Sequence, residues 1–157
     1  MRILVVSDSH GDVHMLRRVI AHQRKAEVVI HLGDGEDDLF QIKPQFPEKM
    51  FLQVRGNCDW GSELPSAEEF MVNGVRIFYT HGHVYNAKMT DYDMIYAANL
   101  RKANILLYGH THWAREYYTD GLYVLNPGSV KGYGGSFGTI EITDKGILTN
   151  IISTDCV

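Results

Sequence analysis

The stretch Ile3-Leu4-Val5-Val6-Ser7-Asp8-Ser9-His10-Gly11-Asp12 decides how the rest of the chain is read. Four consecutive aliphatic residues suit a strand buried on both faces, and the run stops abruptly at Asp, His and Gly. Such a strand presents a carboxylate and an imidazole at its carboxyl end, where open α/β sheets bind their ligands. Asp8 and His10 are two residues apart and share a side if extended geometry persists that far. They read as two metal ligands in want of partners. Asp12 reads instead as the N-cap of a helix in which Met15, Leu16, Val19 and Ile20 recur at helical spacing.

Moving outward, the same punctuation recurs. Glu27–His31 reads as a strand that ends at Leu32-Gly33-Asp34-Gly35, and Glu36, Asp37 and Asp38 suit the first turn of a short helix closed by Pro44 and Pro47. Met50–Val54 reads as a strand ending at Arg55-Gly56-Asn57-Cys58-Asp59. This alternation of strand and helix argues for parallel pairing through right-handed crossovers. Glu68–Val72 and Val75–Thr80 flank Asn73-Gly74, a strong hairpin signal, and the second strand ends at His81-Gly82-His83. Thr90 with Asp93 resembles a capping box before a helix whose apolar face is Met94, Ile95, Ala97 and Ala98. Ile105–Tyr108 then ends at Gly109-His110-Thr111-His112. Beyond it the pattern is β, with strands near Glu116–Thr119, Leu122–Leu125, Gly138–Ile142 and Gly146–Ile152.

Composition bounds the reading. A chain of 157 residues with 45% apolar and 22% charged residues is ordinary for one globular domain spanning 1–157. No apolar run approaches the roughly 20 residues that cross a bilayer, and Met1-Arg2 leads straight into a strand rather than a signal peptide. The net charge of -4 argues against a face for long nucleic acid. Two cysteines, Cys58 and Cys156, cannot build a disulfide framework, so a reducing cytoplasm is expected.

Five strand ends therefore carry glycine with a metal-competent side chain: Asp8/His10, Asp34, Asn57, His81 and His110/His112. Singly, Gly-Asp is an ordinary turn and a lone His an ordinary buried residue. Together they exceed turn chemistry, and seven ligands exceed what one ion takes from protein. Carboxylate, amide oxygen and imidazole without thiolate suit Mn, Fe, Zn or Mg. Two ions about 3.5–4 Å apart can clamp the attacking and leaving oxygens of a phosphoryl group.

The series Asp8-Ser9-His10, Gly33-Asp34, Gly56-Asn57, His81-Gly82 and Gly109-His110-Thr111-His112, followed by Asn126-Pro127-Gly128-Ser129, resembles the calcineurin-like metallophosphoesterases. The short, capless chain is similar to their small bacterial and archaeal phosphodiesterases of the YfcE/MJ0936 type. The resemblance implies an α/β fold, a four-layer αββα sandwich with two mixed sheets. It implies that Asp8, His10 and His112 bind one metal, that Asn57, His81 and His110 bind the other, and that Asp34 bridges them. Two divalent ions are expected, Mn2+ first, with Zn2+, Fe2+, Ni2+ and Mg2+ as alternatives, and a hydroxide shared by both would attack phosphorus. The implied activity is phosphodiester hydrolysis of small substrates. A nucleotide phosphatase, a nuclease acting on short single strands, or a scaffold similar to a eukaryotic retromer subunit of the same fold are the alternatives.

Cys58 departs from the wider family, where a His at this point serves the leaving group or the transition state; the small phosphodiesterases share the Cys. A packed residue is the simpler reading of Cys58 than a nucleophile, since nothing nearby is needed to activate a thiol. His83 becomes the candidate to protonate the leaving group or hold a substrate oxygen. His83 and Asn57 are thus the candidate catalytic residues, Asn57 also counting as a ligand. Trp60, Tyr85 and Trp113 flank ligand-bearing loops and could stack on a base, and Lys131–Ser136 could shape a substrate rim. Exposed β edges after residue 115 leave room for a homo-oligomer.

Overall fold

The computed structural model describes all of residues 1–157. The strands are β1 (Arg2–Val6), β2 (Val28–His31), β3 (Met50–Gln53), β4 (Ala67–Val72), β5 (Val75–Thr80), β6 (Ile105–Tyr108), β7 (Arg115–Thr119), β8 (Leu122–Asn126), β9 (Ser136–Thr143) and β10 (Gly146–Ser153). The helices are α1 (Val13–His22), α2 (Glu36–Ile42) and α3 (Tyr92–Leu100). They form two five-stranded mixed sheets, ordered β10-β9-β1-β2-β3 and β4-β5-β6-β8-β7.

Alternation along each buried strand explains why the sheets stack face to face with helices outside. Ile3, Val5, Val28 and Ile30 point between the sheets and meet Ile77, Tyr79, Ile105, Leu107 and Leu125 of the other. Their neighbours Leu4, Val6 and Val29 point the opposite way, onto Leu16, Val19, Ile20 and Leu39 of α1 and α2. In the second sheet Phe78, Leu106 and Val124 face Met94, Ala97 and Ala98 of α3. Each fully buried aliphatic or aromatic side chain stabilises the packing by about 1.5–3 kcal/mol. The layers run α, β, β, α, as the resemblance implied.

Register places the functional ends level. In the first sheet Val6 pairs with His31 and His31 with Gln53, both in parallel. In the second, Thr80 pairs with Tyr108 in parallel. The chain segments leaving β1, β2, β3, β5 and β6 therefore emerge along one edge of the sandwich.

Two features differ from the pattern read along the chain. The β-rich last third is not one meander. β7 and β8 complete the second sheet, whereas β9 and β10 return to the first, β9 lying antiparallel to β1. The link between them, Lys131–Ser136, is accordingly a crossing between sheets rather than a hairpin turn. It is tied down where Gly132 N–H donates to Asp12 Oδ2 (2.9 Å), Thr154 Oγ1 donates to Gly132 O (2.7 Å) and Gly134 N–H donates to Asp155 Oδ1 (2.9 Å). The capping box at Thr90 does not form either. Asp91 occupies the N-cap with no side-chain cap bond, because its carboxylate is turned to Tyr117 Oη and Arg115 Nη1. Asp12 does cap α1, accepting from Met15 N–H at 2.9 Å.

Lys49 is the one buried lysine, and its position explains how α1 ends. Its Nζ donates to the carbonyls of Gln23 (3.2 Å), Arg24 (3.3 Å) and Ala26 (2.7 Å), just past the helix, where orphaned carbonyls and the negative dipole end favour a cation. Lys49→Met keeps the apolar stem but removes the shared donor of three carbonyls; Gln23 O keeps the N–H of Ala26 at 3.0 Å, whereas Ala26 O loses its 2.7 Å bond in a buried setting. We expect it to lower unfolding free energy by about 2 kcal/mol in urea denaturation; an unchanged midpoint would show that the ammonium contributes nothing.

Candidate metal centre

Five strand ends deliver the seven side chains singled out above. Asp8 and His10 follow β1, Asp34 follows β2, Asn57 follows β3, His81 follows β5, and His110 and His112 follow β6. Five of them sit in the left-handed region, with φ of 55° at Asp8, 43° at His10, 57° at Asp34, 68° at His110 and 61° at His112. Such conformations cost roughly 1–3 kcal/mol each outside glycine and cluster at functional sites. They turn the chain sharply as it leaves the sheet, so that side chains which would alternate along a strand converge instead.

At the centre lies Asp8, fully buried. Its Oδ2 accepts from Ser7 Oγ (2.5 Å) and His110 N–H (3.0 Å), but its buried Oδ1 has no hydrogen-bond partner. Around that oxygen stand His112 Nε2 at 3.2 Å, His10 Nε2 at 3.7 Å and His81 Nε2 at 4.0 Å. Asp34 Oδ1 accepts from Cys58 N–H at 2.7 Å, while Oδ2 faces His81 Nε2 (3.4 Å) and His10 Nε2 (3.7 Å). His81 Nδ1 donates to Leu32 O at 2.7 Å; a carbonyl only accepts, so this bond aims Nε2 inward, beside Asn57 Oδ1 (3.1 Å) and His110 Nδ1 (3.2 Å).

These ligand atoms fall into sets able to hold a cation. Asp8, His10 and His112 form one and Asp34, His81 and His110 another, each with its atoms within 4.8 Å of one another. A third set joins His10 and Asp34 to Cys58. An unpartnered buried carboxylate oxygen beside inward-aimed imidazole nitrogens is the arrangement a divalent cation completes.

The electrostatics agree. Burial pushes Asp34 up, but hydrogen bonds from His81 and Cys58 outweigh it and hold the carboxyl well below the usual range. For His81, burial opposes protonation, yet the hydrogen bond to Asp34 and the charge of Asp8 raise its pKa. The carboxylates draw positive charge inward. His110 is pushed down to about 4 by burial, then by the charges of His81 and Lys88, which leaves a neutral ring able to donate a lone pair.

Several residues outside the seven candidate ligands support the site. Asp59 accepts from Gly56 N–H (2.7 Å), Asp34 N–H (2.8 Å), Gly35 N–H (2.9 Å) and Glu36 N–H (3.0 Å), sewing the loop after β3 to the loop after β2. Burial raises its pKa, but these donors outweigh it and leave the carboxyl low. Gly56 permits the contact, since a Cβ there would lie 2.0 Å from Asp34 Oδ1. Asn126 Nδ2 donates to Gly109 O (3.1 Å) and Thr111 Oγ1 (2.9 Å), holding the turn between His110 and His112. Ser129 Oγ donates to Asp8 O at 2.7 Å. Apart from Gly56, three residues from Asp59, the partners are distant in sequence, so only the fold reveals these roles.

A cleft of about 470 Å³ opens from the centre, lined by His10, Asp34, Glu36, Asp37, Asp59 and Trp60 among others and by no lysine or arginine. Trp60 is 92% exposed on its wall. Trp113 is also exposed, in a second pocket beside Thr111, whereas Tyr85 packs edge-on against Phe78 at 6.2 Å and belongs to the core. His83 lies beside the centre, its ring 5.3 Å from His81 and 6.2 Å from His110, with a buried Nδ1 that has no partner. Burial, then the charges of His81 and Arg55, lower its pKa. Cys58 is exposed rather than packed, and slight desolvation followed by the charges of Asp34, Asp59 and Asp8 pushes its thiol up, the wrong direction for a nucleophile.

The profile of the calcineurin-like phosphoesterase superfamily domain matches residues 1–145. The chain belongs to that superfamily. Among its relatives, the phosphodiesterase MJ0936 of Methanocaldococcus jannaschii is 28% identical over 161 residues, covering 92% of this chain and 93% of that protein. The probable metallophosphoesterase YsnB of Bacillus subtilis is 29% identical over 133 residues, covering 83% and 76%. A crystal structure of a conserved Streptococcus pneumoniae protein, predicted to be a phosphoesterase, superposes with a TM-score of 0.83 at 28% identity over 98% of this chain and 90% of that one. The chain thus sits with the small phosphodiesterases of this superfamily, and a phosphoesterase carrying metal-ligand side chains is what fold and family together show.

His31, fully buried beneath the centre of this phosphoesterase, gives a pH prediction. Its Nδ1 accepts from Gly33 N–H at 3.1 Å, and burial pushes its pKa from 6.5 to about 4 against the pull of Asp59, Asp8 and Asp38. Between those values the unfolded chain binds the proton and the folded one does not, so stability is lost as pH falls from 6.5 to about 4. This one group should remove about 3 kcal/mol across that window. Denaturation of the metal-free protein at several pH values should show the slope, and His31→Asn should flatten it relative to wild type; parallel slopes would exclude the assignment.

Proposed function

We propose that the protein is a metal-dependent phosphodiesterase of small substrates working through two divalent ions. Asp8, His10 and His112 would hold one ion, Asn57, His81 and His110 the other, with Asp34 between them. The observation that carries this reading is the convergence of two separate ligand sets on a shared floor of buried carboxylates. Carboxylate, amide and imidazole donors suit Mn2+ first, and also Zn2+, Fe2+, Ni2+ or Mg2+. When bound, such a pair supplies an activated nucleophile and neutralises charge building on the phosphoryl oxygens.

The chain's own contribution is to hold that arrangement and to choose the substrate. Leu32 O fixes the ring of His81, Ser7 and His110 N–H fix Asp8, and Cys58 N–H with Gly56 fixes Asp34. The cleft beside these groups carries Glu36, Asp37, Asp38 and Asp59 without a lysine or arginine. Carboxylate walls suit the single charge of a diester better than the charges of a nucleotide polyphosphate, and a net charge of -4 disfavours long nucleic acid. Trp60 offers a face to an aromatic arm of the substrate. Cys58 and Cys156 as free thiols suit a reducing cytoplasm, and β7 and β10, edge strands of their sheets, offer edges for a homo-oligomer.

His83 would lend a proton to the leaving group or hold a substrate oxygen, and Asn57 would contact substrate beside its ion. Hydrolysis of bis-p-nitrophenyl phosphate with Mn2+ should appear, vanish on chelation and return with metal; inactivity under every divalent ion would favour a scaffold. Asp34→Asn should lower turnover by roughly 10³-fold, and near-normal activity would sink the two-ion reading. His83→Ala should cost roughly 10²-fold or more on a diester with a poor leaving group. An equal loss on a good leaving group would assign His83 to holding an oxygen, and no loss on either would remove it from the mechanism.

A further inference from the structure

Beneath the centre runs a hydrogen-bonded chain that touches none of the ligand atoms. Gly33 N–H donates to His31 Nδ1 at 3.1 Å, which places the ring proton on Nε2, 3.2 Å from Ser9 Oγ. Ser9 Oγ donates to Asp38 Oδ2 at 2.5 Å, and the same oxygen accepts from Gly11 N–H at 2.9 Å. The chain therefore begins one residue before Asp34 and ends one residue after His10. His31 and Ser9 are wholly inaccessible and Asp38 is 6% exposed, so the bonds from His31 to Ser9 and from Ser9 to Asp38 are shielded from water, while Gly11 lies at the cleft surface. Gly35, the residue after Asp34, presses on the same spot; a Cβ there would lie 1.9 Å from Ser9 Oγ.

We propose that His31, Ser9 and Asp38 are positioning residues that hold His10 in its left-handed conformation between Ser9 and Gly11, and that they set the metal affinity of the Asp8–His10–His112 set in particular. This rests on the two-ion reading. The two sets are held differently. His81 is anchored by Leu32 O and the His110 backbone by Asp8 Oδ2, neither of which passes through Ser9. His10 and His112, by contrast, have side chains 26% and 48% exposed, and the φ of 43° at His10 lies between Ser9 and Gly11, both members or neighbours of the chain. Backbone strain of this kind persists only where the surroundings over-determine it. Removing a hydrogen bond that orients ligands typically weakens metal binding by roughly 10–100-fold.

The test is calorimetric titration of the metal-free full chain with Mn2+, for wild type, Ser9→Ala and Asp38→Asn, with circular dichroism to verify folding. Wild type should show two binding events. Ser9→Ala should weaken one of them by roughly 10–100-fold and leave the other within about threefold. Asp38→Asn, whose amide oxygen can still accept from Ser9 and Gly11 but without the carboxylate charge, should weaken the same event by about tenfold, and it carries the test if Ser9→Ala misfolds. Equal weakening of both events, or no change in either, would overturn the positioning role. A single event in wild type would overturn the two-ion reading itself, and the proposal with it.

Discussion

A carboxylate oxygen without a partner lies at the middle of this protein. Asp8 Oδ1 is buried between two sheets, and its other oxygen is already engaged by Ser7 and His110. An ionised carboxylate taken out of water costs several kcal/mol unless positive charge or strong donors meet it. Three imidazole nitrogens come within 4.0 Å of Oδ1, and Asp34 adds a second buried negative charge to the same space. The site is therefore built around a deficit of positive charge, and the rest of the edge is arranged to keep that deficit open rather than to fill it with lysine or arginine.

Keeping it open requires rigidity. Five of the seven side chains sit on left-handed backbone, a conformation the chain would relax if it could. The restraint comes from below and from the side. The aliphatic alternation of β1 and β2 locks both strands between the second sheet and the helices α1 and α2. Carboxylates that never reach the centre, Asp38 and Asp59, then collect the backbone N–H groups of the loops above. Burial and hydrogen bonding thus convert hydrophobic stability into geometric strain at the strand ends.

Much of this was legible because the informative signals are local. A run such as Ile3–Val6 announces a doubly buried strand, and the Gly-Asp and Gly-His pairs that follow announce where it stops. All seven candidate ligands were visible as strand-end residues, and the structure brings them to one edge. The signals that misled were also local. Thr90 and Asp93 have capping-box spacing, but Asp91 is drawn off by Tyr117 and Arg115, residues that only the fold makes neighbours. Tyr85, which flanks a ligand loop in sequence, covers the core edge against Phe78, the simpler of the two readings open to it.

Read alone, the chain determined the strands, their burial on both faces, the residue types at their ends and the helices that cover them, because each follows from periodicity and turn chemistry over a few residues. Tertiary structure decided how ten strands divide between two sheets, with β9 and β10 returning to the first. It decided which ligand atoms share a set, and that Ser9, His31, Asp38, Asp59 and Asn126 hold those atoms in place. The reason is distance along the chain. His10 and His112 lie 102 residues apart and meet at 3.2 Å, and no window of sequence carries the register that joins them.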